Sequence, residues 1–210
     1  SNTEGFSNVA IGKDALFSNT TADENVAVGF EALRANTTGA YNVAVGKHAL
    51  LANTTGADNT SLGYHSGIST TTADRSTFLG SSAGKSTTTG NYNIAIGYHT
   101  LYSNITGHSN TCVGTTAGHL ITGNYNTAVG LQSLYASTGN NNTAIGKDSC
   151  QTTTTASNNT GLGYKALDLN TTGGSNTAVG ANALRACTTG IKNVGVGFQA
   201  GDGVIDGEGN

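Results

Sequence analysis

A chain of 210 residues with a net charge of −3 at pH 7 and only 10% charged residues has no basic face or run with which to displace counterions, which excludes a nucleic-acid footprint. No apolar run approaches the roughly 20 residues of a membrane-spanning helix and no signal-peptide pattern is present, so membrane insertion of this segment is not expected. The low charge and 31 glycines suggest disorder, but apolar residues stay at 36% and occupy fixed columns, which disorder does not produce.

Those columns belong to an internal repeat. Residues 1–7 form a partial copy, since Ser1 to Ser7 align with Ser18 to Glu24. Twelve copies follow over residues 8–209, closing on Gly12, Gly29, Gly46, Gly63, Gly80, Gly97, Gly114, Gly130, Gly146, Gly163, Gly180 and Gly197. Successive glycines lie 17 residues apart except for two intervals of 16, both shortened in the loop half, at Leu120 to Gly123 and at Ala136 to Gly139. Asn210 is in phase with a further repeat, and neither end carries a polar cap, so more chain or another molecule is expected to continue the array. An end-to-end repeat of this kind implies one repeat array over 1–210 in place of separate globular domains.

Within each copy, Asn-(Val/Thr)-Ala-(Val/Ile)-Gly has period-2 character with β-branched residues at its second and fourth places, which predicts a short strand. Glycine closes it in every copy, as expected where the chain turns with positive φ or passes close to a neighbour. A second apolar segment, as in Ala32-Leu33 and Ala49-Leu50, precedes the turn signal Asn-Thr-Thr-Gly. The stretch between glycine and that turn is too short for a stable helix. The spacing therefore predicts an all-β parallel solenoid whose coils each carry two short strands and two turns.

The five strand places hold sixty residues and not one charge, where 21 charged residues among 210 would put about six there by chance. The fourth place, from Ile11 and Val28 to Val196, is apolar throughout and is expected to fill the core of each coil. The third place, including Ala10, Ala27, Ala44, Ala95, Ala128, Ala144 and Ala178, is then outward and small, and is expected to form the seam of a symmetric oligomer. A monomeric solenoid with a plain alanine face is the alternative. The first-place asparagines, with Ser76 as the one exception, are expected to stack and bond along the array.

These residues resemble a known family. The Asn-x-Ala-(Val/Ile)-Gly unit resembles the head repeats of YadA-type trimeric autotransporter adhesins, and the fuller unit with Ala-Leu-x-x-Asn-Thr-Thr-Gly is similar to repeats of phage tail-fibre proteins and large bacterial surface proteins. The resemblance covers essentially the whole chain. It implies a left-handed parallel β-roll, normally a homotrimer, that serves as the rigid head or shaft of an adhesive fibre outside the cell, on a cell surface or a virion. The chain departs from the family pattern in placing Asn42 directly before Val43 where a serine usually intervenes, and in repeats that are often shorter elsewhere. No stalk, anchor or recognisable trimerisation element lies in this segment.

Little in the sequence points to chemistry. Cys112, Cys150 and Cys187 lie in alternate repeats, a rise of roughly 9.5 Å against a Cα limit of about 7 Å for a disulfide. They are expected to be small apolar fillers, with an intersubunit bond as the lesser option. His48, His65 and His99 share the column two after glycine, where a neighbouring pair could hold a metal weakly, but the rest of that column is ordinary polar surface. Asp202, Asp206 and Glu208 do not follow a calcium-binding spacing. The acids are scattered without a carboxylate pair or a cleft-forming insertion, so neither catalysis nor a cofactor is expected.

Binding is harder to dismiss. Tyr64, Tyr98 and Tyr164 share the column after glycine with Phe30 and Phe198, and exposed aromatics can stack on sugar rings or cover a corner of the core. Tyr41, Tyr92 and Tyr125 share another column near the turn. Ranks of threonine raise ice binding as a second class, weakened because the second-place threonines are expected to face the core. The expected role is thus a structural or adhesive fibre segment that attaches to a host or surface. Its partners are copies of itself, in a homotrimer or head to tail in a self-assembling extracellular filament, and a surface glycan or protein receptor.

Overall fold

A computed structural model describes residues 3–209, so the phase of Ser1, Asn2 and Asn210 lies outside the described residues. The chain divides into two compact units, Ser1–Ser109 and Asn110–Asn210. The first holds β1 (Val9–Ile11), β2 (Val26–Val28), β3 (Val43–Val45), β4 (Thr60–Leu62), β5 (Thr77–Leu79) and β6 (Ile94–Ile96). The second holds β7 (Thr111–Val113), β8 (Thr127–Val129), β9 (Thr143–Ile145), β10 (Thr160–Leu162), β11 (Thr177–Val179) and β12 (Val194–Val196). Within each unit consecutive strands pair in parallel and in exact repeat register, such as Val26↔Val43 and Ala27↔Ala44 in the first and Thr160↔Thr177 in the second. Each unit is therefore a parallel β-solenoid, and no helix occurs among the described residues.

The two short intervals leave the strands untouched, as expected: Thr111 pairs with Thr127 and Thr127 with Thr143. The expected second strand does not form. Each coil has one strand of three residues, followed by a bend at glycine and a run of turns. In that run alternate residues take left-handed backbone, as at Glu31 (φ 55°) and Leu33 (φ 50°), which is unusual for a bulky side chain. The backbone still finds partners between coils: Glu31 N–H donates to the Lys13 carbonyl at 2.9 Å, Leu33 N–H to the Ala49 carbonyl at 3.0 Å and Ala35 N–H to the Leu51 carbonyl at 3.1 Å. Inter-coil bonding satisfies what a helix would have satisfied internally.

The strand-closing glycine meets both conditions that the sequence suggested. Gly46 has φ 133°, and a Cβ added there would lie 2.5 Å from the carbonyl oxygen of Gly63 in the next coil. No side chain fits between carbonyls stacked this closely.

The two strand faces are the reverse of the expectation. Ala27, Ala44, Ala95, Ala128, Ala144 and Ala178 are fully buried inside their coils, so they cannot form an intersubunit seam. Ala10 is exposed in β1, the first strand. The residues that face outward are those at the second and fourth places, with Ile11 61%, Leu62 49% and Val196 68% exposed. The physical reason is the filling of the coil from its far side. Leu16, Leu33, Leu50, Leu101, Leu134, Leu167 and Leu184 point inward, and buried asparagines occupy the two ends, leaving room opposite the leucine only for a small residue.

Phe78 shows the same rule by exception. It stands in the alanine column with its whole ring buried, and the leucine column is glycine at Gly67 and Gly84 on either side. A Cβ at Gly67 would lie 2.7 Å from Phe78 Cδ2. In the second unit Cys112 takes the alanine place and Gly118 the leucine place, where a Cβ would lie 2.5 Å from Cys112 Sγ.

The asparagine ladder forms as expected. Asn42 donates its backbone N–H to Asn25 Oδ1 at 2.9 Å and its side-chain amide to the Gly56 carbonyl at 2.8 Å, while its Oδ1 accepts the Asn59 N–H at 3.0 Å. Ser76 keeps the chain of bonds, taking the Asn93 N–H on its hydroxyl at 3.2 Å. A second ladder at Asn19, Asn36 and Asn53 is equally buried, with Asn53 Nδ2 donating to Asn36 Oδ1 at 2.9 Å. The sequence presents these residues only as the start of a polar turn.

Candidate interaction surfaces

No cavity is found among the described residues, and no three histidine, cysteine, aspartate or glutamate side chains converge as metal ligands there. The surfaces to consider are therefore the outer strand face and the arc that follows the glycine bend.

The outer face of the first unit carries Val9, Val26, Val43, Thr60, Thr77 and Ile94 in one rank and Ile11, Val28, Val45, Leu62, Leu79 and Ile96 in the other. In the second unit the first rank becomes Thr111, Thr127, Thr143, Thr160 and Thr177 before ending on Val194, beside Val113, Val129, Ile145, Leu162, Val179 and Val196. The threonines that were expected to face the core thus lie on the surface. Neither rank contains a charge, and the fourth-place rank is apolar in every coil.

In the turns the first threonine bonds to the next coil, while the second, at Thr38, Thr55, Thr72 and Thr89 of the first unit, is exposed. Thr37 Oγ1 donates to the Thr54 carbonyl at 3.0 Å, and Thr20, Thr54, Thr71, Thr154 and Thr171 repeat the bond to the next coil.

Beyond the bend, Tyr64 and Tyr98 share one column of the first unit with Phe30, and Tyr164 occupies the same column in the second. They are about half exposed, at 50%, 53% and 45%. Tyr64 stacks on His65 with ring centroids 3.7 Å apart, and Tyr98 on His99 at 3.9 Å. Lysines stand between or beside the rings: Lys47 Nζ lies 5.7 Å from the Phe30 centroid and 6.0 Å from that of Tyr64, and Lys147 Nζ lies 5.5 Å from that of Tyr164. This alternation of cation and ring, one per coil, is readable in the sequence as Lys13, Phe30, Lys47 and Tyr64. Of the turn-column tyrosines, Tyr92 accepts a hydrogen bond from Arg75 Nη1 at 2.9 Å, and Arg75 also pairs with Asp58.

His48 and His65 do meet, Nδ1 to Nε2 at 2.9 Å, and His48 Nε2 lies 3.2 Å from Glu31 Oε2. The glutamate and His65 sit at opposite ends of the His48 ring, so the three do not enclose a common point. Burial, then the neighbouring His48, Lys85 and Lys47, push the His65 pKa below the ordinary 6.5. Cys112, Cys150 and Cys187 are free and buried, and desolvation raises the first two thiols to about 12. They are inert fillers inside the coil. Asp148 and Asp168 are nearly buried acids, paired with Lys147 at 3.3 Å and with Lys165 at 3.5 Å. Glu208, one of the acids near the end of the chain, pairs with Lys192 at 3.0 Å.

No protein-family model matches the chain, nor does any curated protein or solved structure.

Proposed function

We propose that this chain is a non-catalytic structural segment of an extracellular adhesive fibre, and that it works as a homo-oligomer, a trimer by its resemblance to the YadA-type head repeats. The observation that carries the reading is the outer strand face: two outward ranks, apolar at every fourth place, with no charge in either unit. The seam runs along Val28, Val45, Leu62 and their equivalents, and the alanines belong to the coil interior. β-branched residues lose little side-chain entropy on packing, and a flat parallel face repeats the same weak contact coil after coil, so affinity and stiffness rise together.

The test is mass in solution by analytical ultracentrifugation, for the chain itself and for Val28→Lys/Val45→Lys. A discrete trimer that the lysine pair dissociates, with unchanged circular dichroism, supports the reading. A monomeric parent chain rejects it, and open-ended polymers favour the filament.

One observation supports a second reading, ice binding: the five consecutive outward threonines from Thr111 to Thr177, spaced by about 4.8 Å from strand to strand. Their companion rank is valine, isoleucine and leucine, which suits protein burial better than a hydroxyl lattice. Thermal hysteresis of the purified chain decides it, and its absence at high concentration removes that reading.

A further inference from the structure

The charges of the first unit are sorted by arc. Of its five lysines and arginines, Lys13, Arg34, Lys47 and Lys85 lie on the arc after the glycine bend, with His48, His65 and His99, while Glu4, Asp23, Glu24, Asp58 and Asp74 lie toward the Thr-Thr-Gly turns. The two acids on the basic arc are Asp14 and Glu31, and Glu31 is occupied by Arg34 at 3.6 Å and His48 at 3.2 Å. A net positive arc remains on an otherwise acidic chain.

Along that arc the column after glycine reads Lys13, Phe30, Lys47, Tyr64, Ser81 and Tyr98, one residue per coil. All except Ser81 are exposed. The aromatic residues recur every second coil, a spacing of about 9.6 Å, and Lys13 and Lys47 recur with the same period between them. Two of the rings are held by the imidazoles that stack behind them, Tyr64 by His65 and Tyr98 by His99. A pre-oriented ring loses less freedom on binding than a mobile one.

From this geometry we infer that the basic arc of the first unit is a docking strip for a linear anionic polysaccharide in which a uronate alternates with a neutral sugar. The period is that of one disaccharide in an extended β-linked chain, so each neutral sugar presents its apolar face to a ring while each carboxylate meets a lysine. A nucleic-acid strand carries its charges much more densely than the lysines recur, and a neutral glycan leaves the lysines without partners. The inference rests on the adhesive-fibre reading and names what the fibre adheres to. The strip lies across the glycine bend from the proposed seam.

The probe is hyaluronan oligosaccharide, which alternates glucuronate and N-acetylglucosamine, titrated against the native assembly in parallel with polyglutamate, single-stranded DNA and a neutral cello-oligosaccharide. Hyaluronan is expected to bind most tightly, with affinity falling as salt rises. Tyr64→Ala/Tyr98→Ala and Lys13→Gln/Lys47→Gln are each expected to weaken it at least tenfold at unchanged mass and circular dichroism, and Tyr64→Phe to retain it. Absence of hyaluronan binding, equal binding of polyglutamate, DNA or the neutral sugar, or an unaffected aromatic double variant overturns the inference. Because mass is measured independently, a trimer that ignores hyaluronan rejects the strip alone. A monomer that binds hyaluronan rejects the assembly and keeps the strip.

Discussion

His48 Nδ1 lies 2.9 Å from His65 Nε2 in the adjacent coil, a hydrogen bond that needs a bare nitrogen on one of the two rings. With His48 Nε2 directed at Glu31, the neutral pair forms a continuous chain from His65 through His48 to the carboxylate. Burial first, and then His48, Lys85 and Lys47, raise the cost of charging His65.

Acid should therefore loosen the first unit in a defined window. The folded pKa of His65 lies below the ordinary 6.5 of the unfolded chain, so above pH 6.5 both states are neutral and the full stability is present. As pH falls through 6.5 the unfolded chain takes up protons that the folded chain refuses, and stability declines until the folded pKa is passed. Thermal melts across this range should show the fall, and His65→Gln should flatten it. An unchanged pH profile in that variant would place the acid response elsewhere.

The reversed strand faces predict an asymmetry between neighbouring residues. Ala44 is fully buried, and Ala44→Val adds two methyl groups to a filled interior, at a cost of about 1–3 kcal/mol. Val45, next to it, faces outward, and Val45→Ser should change unfolding stability by no more than about 0.5 kcal/mol while weakening self-association. Denaturation and sedimentation of the two variants separate these effects. The faces expected from sequence alone require the opposite result.

Asn42 illustrates how a polar residue can carry the interior. Its amide and Oδ1 serve the Gly56 carbonyl and the Asn59 N–H, both inside the coil. Asn42→Ala leaves the Asn59 N–H without its acceptor, at about 1–3 kcal/mol, while the Gly56 carbonyl keeps the Asn53 amide at 2.9 Å. Asn42→Ser should be milder, because Ser76 already holds the backbone bond at the equivalent place. Amide exchange at Asn59 reports the difference locally: fast in the alanine variant, intermediate in the serine variant.

The repeat, its phase, the glycine column and the first asparagine ladder were all legible in the sequence, because each shows as one residue type recurring at a fixed place, with Ser76 the one exception in the ladder. The direction of the strand was not. Period-2 alternation fixes two faces but does not say which is inside, and the rule that larger apolar residues go inward fails in a coil this narrow. The second strand failed for a related reason: Leu33 and its equivalents take left-handed backbone that leucine normally avoids, held there by inter-coil hydrogen bonds and burial. A signal for the true orientation did exist, in the pairing of Phe78 with Gly67 and Gly84 and of Cys112 with Gly118. A large residue in the third place coincides with glycine in the leucine column, as it must if both columns share one interior.

That shared interior yields the sharpest prediction. Gly67→Ala brings a methyl group into the Phe78 ring, 2.7 Å from Cδ2, at a backbone φ of 56° that alanine also disfavours. Phe78→Ala alone empties the space and costs about 3–5 kcal/mol as a cavity. Together the two substitutions should cost less than the sum of the singles, because the clash with the ring disappears and only the contact with Leu50 Cδ2 at 2.9 Å is left. The backbone strain remains and keeps the double variant below the parent. The coupling expected in such a cycle is about 0.5–3 kcal/mol, read from denaturant unfolding of the four proteins. Strict additivity would mean that Phe78 and Gly67 do not face each other, and with that the inward assignment of the third place would fall.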